Sequence, residues 1–386
     1  MANKNTDTKA SKMAKLNNVI KGINKKFGEN TIVMASQKDL SKRTLKTPSI
    51  ELNNALYGGF SGIVELFGDN QAGKTSLALD TIALHQKEDP EFIAAWMETE
   101  DSITEDILKQ HHIDFDRFIF WKQEDVEKGN AESSLDVARA FLADGSIDML
   151  VVNSIAGLSP SKELEDDLEK QNIALTARIL SKFFRVAIGF ISKNDIVTVF
   201  INQIRDDVGK LWGDPSTTTG GRALSFYADQ RIRMSNISIG KDDPITKAEG
   251  VKINNKVKKN RRAGIHCPYT ECTYYALFDK GIDSVVAMPA LLKENNIFTV
   301  KGAHWYYYDN NNNIITIDGI EGHFSSKNEL INVLRENKAW YDEMMHRLDG
   351  EGPKQQSQEE IDESVKEQEE LENDFSKFLE EESNNE

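Results

Sequence analysis

One octet, residues 68–75, constrains this 386-residue chain more than any other part of its sequence. It reads Gly-Asp-Asn-Gln-Ala-Gly-Lys-Thr, the complete phosphate-loop pattern G-x-x-x-x-G-K-[ST]. The aliphatic run at residues 63–67 has the composition of a strand, and residues 76–84 have that of a helix with an apolar face. Between a strand and a helix, such a loop turns backbone N–H groups toward phosphate oxygens. The octet therefore predicts nucleotide binding.

Two side chains of the octet have expected roles beside a nucleoside triphosphate. The Lys74 ammonium would reach the β- and γ-phosphates, and the Thr75 hydroxyl would help hold Mg²⁺. The residues predicted to contact the nucleotide are Gly68, Asp69, Asn70, Gln71, Ala72, Gly73, Lys74, Thr75 and Ser76.

The negative charge is concentrated near the C-terminal end. Residues 351–386 hold fourteen acidic residues and three lysines, so they carry −11 of the formal net charge of −16. This composition buries too little apolar surface to fold, which predicts an acidic disordered tail over residues 349–386. Two roles stay open for the tail: it keeps the protein soluble, or it mimics nucleic-acid phosphate and occupies a basic groove. The acidic total is thus poor evidence against nucleic-acid binding.

Neither a membrane span nor a metal-binding cysteine cluster is evident. No stretch approaches the roughly 20 apolar residues of a membrane span, and the first residues lack the apolar core of a secretory signal. Cys267 and Cys272 form one C-x₄-C pair without the further ligands of a structural metal site. We expect a cytoplasmic protein with two ordinary thiols.

Short aliphatic runs alternate with longer helical patterns over residues 45–280, which predicts an α/β core around a mostly parallel sheet. The later strands follow one another without long helices, which predicts an antiparallel extension. The predicted strands are residues 63–67, 92–97, 117–121, 149–153, 196–202, 230–235, 251–257 and 273–278.

Smaller segments flank this core. Residues 281–348 predict a small α+β domain, with helices at 289–293 and 327–336 and strands at 305–308 and 314–317. At the other end, residues 1–44 predict a helix and a linker. Its helix carries apolar residues at helical spacing, which must be buried on the chain's own core or on a neighbouring subunit: Met13, Leu16, Ile20, Ile23 and Phe27.

Two further segments carry sequence motifs that are informative together with the phosphate loop. Residues 200–205 read Phe-Ile-Asn-Gln-Ile-Arg, and residues 217–228 read Thr-Thr-Thr-Gly-Gly-Arg-Ala-Leu-Ser-Phe-Tyr-Ala. With the phosphate loop they closely resemble the bacterial RecA recombinase family, including its divergent phage-encoded members. The resemblance runs from about residue 22 to about residue 348. It implies a RecA-type P-loop NTPase core that uses ATP and Mg²⁺.

The resemblance also gives roles to four residues around the ATP. Glu100 matches the catalytic glutamate, and Gln203 matches the glutamine that senses the γ-phosphate and couples it to a DNA-binding loop. Lys259 and Arg261 match two cations that reach the ATP of a neighbouring subunit, where a cation stabilises the transferring phosphoryl group. On composition alone, these two cations also fit a solvated basic strand end.

Two loops are expected at DNA, because cations and an aromatic side chain suit the phosphates and bases of single strands. The residues expected there are Ile173, Arg178, Arg185, Arg205, Lys210, Trp212, Gly220, Gly221 and Arg222. The residues expected at subunit interfaces are Ile23, Phe27 and Phe226.

Several positions depart from the family pattern. Asn153 stands where an aspartate is expected beside Mg²⁺, which predicts slower turnover or weaker Mg²⁺ affinity. Ile107 replaces an aromatic residue over the adenine, and Thr104 replaces an acid that meets the base, which predicts relaxed nucleotide choice. The first DNA loop is acidic over residues 165–169, so it is expected to be more helical or to point away from DNA.

The resemblance implies a DNA-dependent ATPase that polymerises on single-stranded DNA and promotes pairing and strand exchange with homologous duplex DNA. The expected partners are both DNAs, further copies of the chain in a helical filament, and a loader or single-strand-binding protein. Two alternatives stay open: a ring-forming helicase or ATPase with the same core, and a catalytically weakened paralogue that acts as a DNA-binding mediator.

Overall fold

The computed structural model describes residues 4–38, 40–165, 175–206, 216–240, 246, 249–264, 266, 269–278 and 280–348. Ile173, Lys210, Trp212, Cys267 and the acidic tail lie outside these ranges, so their predicted roles stay predictions.

The helices alternate with strands through most of the chain. The helices are α1 Lys4–Phe27, α2 Ile50–Leu56, α3 Lys74–Glu88, α4 Glu105–Gln110, α5 Ala131–Asp144, α6 Ser161–Glu165, α7 Leu175–Asn194, α8 Arg222–Tyr227, α9 Met288–Glu294, α10 Lys327–Glu336 and α11 Lys338–Leu348. The strands are β1 Ile63–Gly68, β2 Ala94–Glu98, β3 Phe118–Lys122, β4 Met149–Asn153, β5 Val197–Asp206, β6 Ser216–Thr218, β7 Gln230–Ile239, β8 Gly250–Asn260, β9 Glu271–Leu277, β10 Gly281–Asp283, β11 Thr299–Lys301, β12 His304–Tyr306, β13 Thr316–Ile317, β14 Ile320–Glu321 and β15 His323–Phe324.

A large mixed sheet organises the core. Its strand order is β10-β9-β8-β7-β1-β5-β4-β2-β3, with β6 paired to β5. The strands from β3 to β7 in this order run parallel, and β8, β9 and β10 extend the sheet in antiparallel fashion. The predicted α/β fold with a mostly parallel sheet is therefore confirmed.

Apolar residues on the two faces of the sheet enter two separate clusters. Val64 and Leu66 of β1 join the cluster that includes α2 and α3, whereas Ile63 joins the cluster under α5 and α7. In β2, Trp96 joins the cluster that includes α2 and α3, and Met97 joins the cluster under α5 and α7. Strands buried on both faces need apolar residues at successive positions, which is why β1, β2 and β4 read as near-continuous apolar runs.

Residues after β10 build a smaller core of their own. It is rich in aromatic side chains, including Phe298, Tyr307, Phe324 and Trp340. The predicted helix at 327–336 coincides with α10. The predicted strands around the asparagine turn are shorter than expected: Tyr308 and Ile314 form one isolated bridge, and β13 pairs with β14 instead.

Among the described residues, those up to Arg43 form one compact unit, and those from Thr44 to Leu348 form the other. In the first unit α1 leaves Met13, Leu16 and Phe27 exposed, with Phe27 at 65%. Within the described parts of the chain, no helix is both long and apolar enough to cross a bilayer.

Candidate nucleotide and nucleic-acid site

The phosphate loop closes the gap between β1, which ends at Gly68, and α3, which begins at Lys74. The Lys74 ammonium is 8% exposed and donates hydrogen bonds to the carbonyl oxygens of Gly68 (3.2 Å) and Asp69 (2.6 Å). Burial lowers the pKa of Lys74, against the opposing effect of Glu100 and Asp69. The loop's own carbonyls thus hold a buried cation at the N-terminus of α3, where phosphate oxygens are favoured.

Glu100 and Gln203 meet directly. Glu100 lies in the turn after β2, and Gln203 lies in β5, two strands away across the sheet. Gln203 Nε2 donates to Glu100 Oε1 at 2.8 Å, and the Ser154 hydroxyl, just after β4, also donates to that oxygen. Three neighbouring strand ends therefore converge on one carboxylate at the carboxyl edge of the parallel sheet, where ligands bind in open α/β sheets.

A second carboxylate, which the sequence analysis did not single out, lies deeper. Glu98, the last residue of β2, is fully buried and stands opposite Asn153, the last residue of β4. Asn153 Nδ2 donates to Glu98 Oε2 at 3.0 Å and to Ser102 Oγ at 3.0 Å. The signal available in the sequence was a charged residue closing an otherwise apolar strand.

An asparagine connects β5 to the segment before α8. Asn202 Nδ2 donates to Glu65 Oε1 at 3.0 Å and to the Thr219 carbonyl at 3.0 Å. Glu65 is fully buried and is also paired with Arg231. The Glu65–Arg231 ion pair thus anchors Asn202, which lies next to Gln203 in the chain, and Asn202 also holds the start of the Thr-Gly-Gly-Arg turn.

Two glycines let that turn pass close to α7. Gly220 has φ +85°, and a Cβ there would meet Leu180 Cδ1 at 2.6 Å and Ile155 Cγ2 at 2.8 Å. Gly221 has φ +71°, and its Cβ would meet that of Ala177 at 2.8 Å. Both the positive φ and the close approach require glycine, so these two positions allow the turn to pack against the helix.

Lys259 and Arg261 lie at the end of β8 and bind the last turn of α8. Lys259 Nζ donates to the carbonyls of Ser225 (2.9 Å) and Phe226 (3.0 Å). Arg261 donates to the Phe226 carbonyl at 2.9 Å and pairs with Asp229 at 3.2 Å. Burial, with a smaller effect of Arg261, lowers the pKa of Lys259. In the single chain both cations therefore cap a helix C-terminus, where positive charge is favoured.

Exposed cations line one face of α7 and the ends of neighbouring segments. Arg178 and Arg185 lie on α7, and Lys182 lies between them at helical spacing, a residue that the sequence analysis missed. Arg205 near the end of β5 and Arg222 at the start of α8 are exposed as well. These positions together form a set of exposed positive charges.

The two departures near the expected base position have local structural roles. The Thr104 hydroxyl accepts a hydrogen bond from the Ile107 backbone at 3.3 Å and so caps α4. The Ile107 side chain is half-buried against the cluster under α2 and α3.

The family model and the curated relatives point to the same family. A family model described as the RecA N-terminal domain matches residues 14–283. The curated relative "Protein RecA" of Mycoplasma mobile is 32% identical over 339 residues, covering 86% of this chain and 95% of that protein. "Protein RecA" of Mycoplasma mycoides subsp. mycoides is 35% identical over 301 residues, covering 76% and 83%. A solved structure titled "Crystal structure of the RadB recombinase" aligns with a TM-score of 0.45 and 19% identity, covering 62% of this chain and 98% of that one.

Proposed function

The chain belongs to the RecA family, and from that premise we propose that it is an ATP-dependent DNA recombinase. It forms helical filaments on single-stranded DNA and promotes homologous pairing and strand exchange. The observation that carries the proposal is the 2.8 Å hydrogen bond between Gln203 and Glu100. It links a candidate catalytic carboxylate to β5, the strand that leads toward the predicted DNA-binding residues.

The residues around the phosphate loop have different roles in ATP hydrolysis. Lys74 neutralises charge on the β- and γ-phosphates, and Glu100 orients and deprotonates the attacking water. Gln203 now occupies one oxygen of Glu100, so a γ-phosphate that attracts the Gln203 amide would free that oxygen for water. The same movement pulls on β5 and, through Asn202, on the Thr219 carbonyl, because these residues are hydrogen-bonded.

Residues at the octet and at the end of β4 fit a hydrated Mg²⁺. Asn153 is 1% exposed, and its Oδ1 accepts no hydrogen bond from any residue in the described ranges. Buried acceptors are nearly always satisfied, so a donor from outside the protein, such as metal-bound water, suits this oxygen. Thr75 and Asn153 would hold the ion with water, and the ion would offset charge on the phosphates.

Lys259 and Arg261 serve the ATP of the next subunit. Each is held by the carbonyl of Phe226, whose side chain is 68% exposed. In a filament built through head-to-tail contacts, this end of α8 would lie at a subunit interface. Ile23 and Phe27 of α1 are separately proposed to contact a neighbouring subunit. The cations would then stabilise the transferring phosphoryl group from across the interface. Arg178, Arg185, Arg205 and Arg222 would contact DNA phosphates.

ATP turnover with and without single-stranded DNA tests this function. Wild-type protein is expected to hydrolyse ATP faster when single-stranded DNA is added, and Lys74→Ala, which removes the phosphate-binding ammonium, is expected to hydrolyse almost none in either condition. The second candidate is a weakened mediator, which Asn153 favours because it removes a negative charge beside the cation. DNA binding without any DNA-stimulated turnover would favour that candidate.

A further inference from the structure

We infer that Glu98 is a positioning residue that fixes the Asn153 carboxamide with its oxygen, rather than its nitrogen, available to the metal-bound water. This inference rests on the proposed function. Glu98 and Asn153 are buried at the ends of the adjacent parallel strands β2 and β4. Glu98 takes no part in the proposed hydrolysis itself.

The orientation of the amide follows from the chemistry of its neighbour. An ionised carboxylate only accepts hydrogen bonds, whereas a carboxamide has one accepting and one donating end. Glu98 Oε2 lies 3.0 Å from Asn153 Nδ2, so the donating end of the amide must face the carboxylate. The Ser102 hydroxyl accepts from the same nitrogen at 3.0 Å while it donates to Glu98. The oxygen is thereby left as the end without a protein donor among the described residues.

Glu98 itself is fully occupied. Its Oε2 accepts from Trp96 Nε1 at 2.9 Å as well as from Asn153. Its Oε1 accepts from the backbone of Glu100 (3.0 Å) and from the backbone and hydroxyl of Ser102 (3.3 and 3.2 Å). With every neighbour a donor and no exposed surface, Glu98 is neither a metal ligand nor a base. Its carboxylate instead holds the surrounding donors in place by accepting their hydrogen bonds.

The hydrogen bond from Asn153 to Glu98 fixes an orientation that matters for an asparagine but not for an aspartate. An aspartate presents an oxygen to a cation whichever way it is turned, but a flipped asparagine presents an N–H₂ group, which repels a cation. A glutamine in place of Glu98 would turn its oxygen toward the backbone N–H groups of Glu100 and Ser102, because these donors cannot reverse. Its N–H₂ group would then face the Asn153 nitrogen, donor against donor, and could not keep that amide in place. The glutamine would accommodate the flipped amide instead.

The test measures how much Mg²⁺ a fluorescent ATP analogue needs to bind. Glu98→Gln is expected to raise the half-saturating Mg²⁺ concentration roughly tenfold or more, the usual effect of losing a group that orients a metal ligand. Adding Asn153→Asp to that variant is expected to bring the concentration back to within about threefold of wild type, because the introduced aspartate has an oxygen at both ends. Trp96→Phe is the matched control: it removes a donor from the same oxygen of Glu98 without reversing the amide, so the Mg²⁺ requirement stays unchanged.

Circular dichroism of each variant serves as the control that the variant is folded. An unchanged Mg²⁺ requirement in folded Glu98→Gln, or a double variant no closer to wild type than Glu98→Gln, would overturn the inference. Wild-type protein that binds no nucleotide at any Mg²⁺ concentration would overturn the proposed function as well, which separates the two failures.

Asn153→Asp alone keeps the inference testable if Glu98→Gln does not fold. It replaces the donor that faces Glu98 and sets two carboxylate oxygens about 3.0 Å apart. The thermal midpoint of the nucleotide-free protein is expected to fall by several degrees and to be raised by Mg²⁺ with nucleotide. An unchanged midpoint overturns the inference.

Discussion

At the scale of single residues, the candidate site separates two carboxylates by burial and by partner. Glu98 is enclosed by donors, whereas Glu100 lies at the carboxyl edge of the sheet and shares a hydrogen bond with Gln203. The sequence allowed Glu100 and Gln203 to be selected, because each follows an apolar run and matches a family motif. It did not allow Glu98 to be selected, because its role depends on the register that sets β2 against β4.

Glu100→Gln tests the proposed catalytic role of Glu100. An amide cannot accept a proton from the attacking water, so we expect the rate of ATP hydrolysis to fall by roughly 10²- to 10⁴-fold. The affinity for ATP should change little, because Glu100 acts on the water rather than on the bound phosphates. Steady-state turnover and equilibrium binding of an ATP analogue measure the two effects. Glu124→Gln, an exposed carboxylate, is the matched control; equal losses in both variants would contradict the assignment.

Glu51, in α2, gives a prediction for pH. Burial, with a smaller effect of Asp283, raises the pKa of Glu51 from 4.5 to about 7, and its Oε1 has no hydrogen-bond partner among the described residues. At Glu51 the folded protein thus binds a proton more tightly than the unfolded chain does, so the contribution of this group to stability is greatest below about pH 4.5 and falls as pH rises toward 7. The full difference is about 3 kcal/mol.

Glu51→Gln removes this dependence. We expect its thermal midpoint to equal that of wild type near pH 4.5 and to exceed it by several degrees at pH 8. Thermal unfolding of both proteins across this range measures the difference. A constant gap between the two proteins at all pH values would contradict the raised pKa.

At the scale of elements, the strand assignments follow closely from the sequence, because strands buried on both faces leave continuous apolar runs. The lengths of β5, β7 and β8, however, do not follow from the sequence. β7 continues four residues past the predicted run to Ile239 and pairs with β8 along this extension, where Ile237 and Ile239 alternate with polar residues instead of continuing an apolar run. The contact of Lys259 and Arg261 with α8 is also beyond sequence reading, since it depends on how β8 ends beside a six-residue helix.

The contact between β8 and α8 gives a prediction for assembly. Lys259→Ala and Arg261→Ala are each expected to abolish most of the DNA-stimulated ATP turnover and to leave nucleotide binding by the isolated chain within a few-fold of wild type. The reason is that, in the proposed filament, the cations act on the neighbour's phosphates. Lys256→Ala is the control, because Lys256 lies on the same strand but pairs with Glu271 on the surface. A loss of nucleotide binding in dilute, DNA-free protein would instead indicate a role within one subunit.

At the scale of the whole molecule, the charge is divided between an acidic end and a core with exposed cations. Residues 351–386 account for −11 of the net −16, so the rest of the chain is only weakly acidic. Composition predicted this division, but it did not show where the core's cations lie. The structure places Arg178, Lys182 and Arg185 along one face of α7.

Removal of residues 351–386 distinguishes the two roles of the acidic tail. If the tail mimics phosphate, the shortened chain should bind single-stranded DNA more tightly, with a steeper loss of affinity as salt rises, because more cations are then available to DNA. Fluorescence anisotropy at several salt concentrations measures this. Unchanged affinity and salt dependence would leave the solubilising role.

The most direct test of the account is a strand-exchange assay between single-stranded DNA and homologous duplex DNA, run with wild-type protein and Lys74→Ala in parallel. The account predicts that wild type with ATP and Mg²⁺ yields the exchanged duplex, and that Lys74→Ala yields almost none, because nucleotide binding at the phosphate loop drives the DNA-binding state. Equal product from both proteins, or none from wild type that binds DNA and hydrolyses ATP, would contradict it.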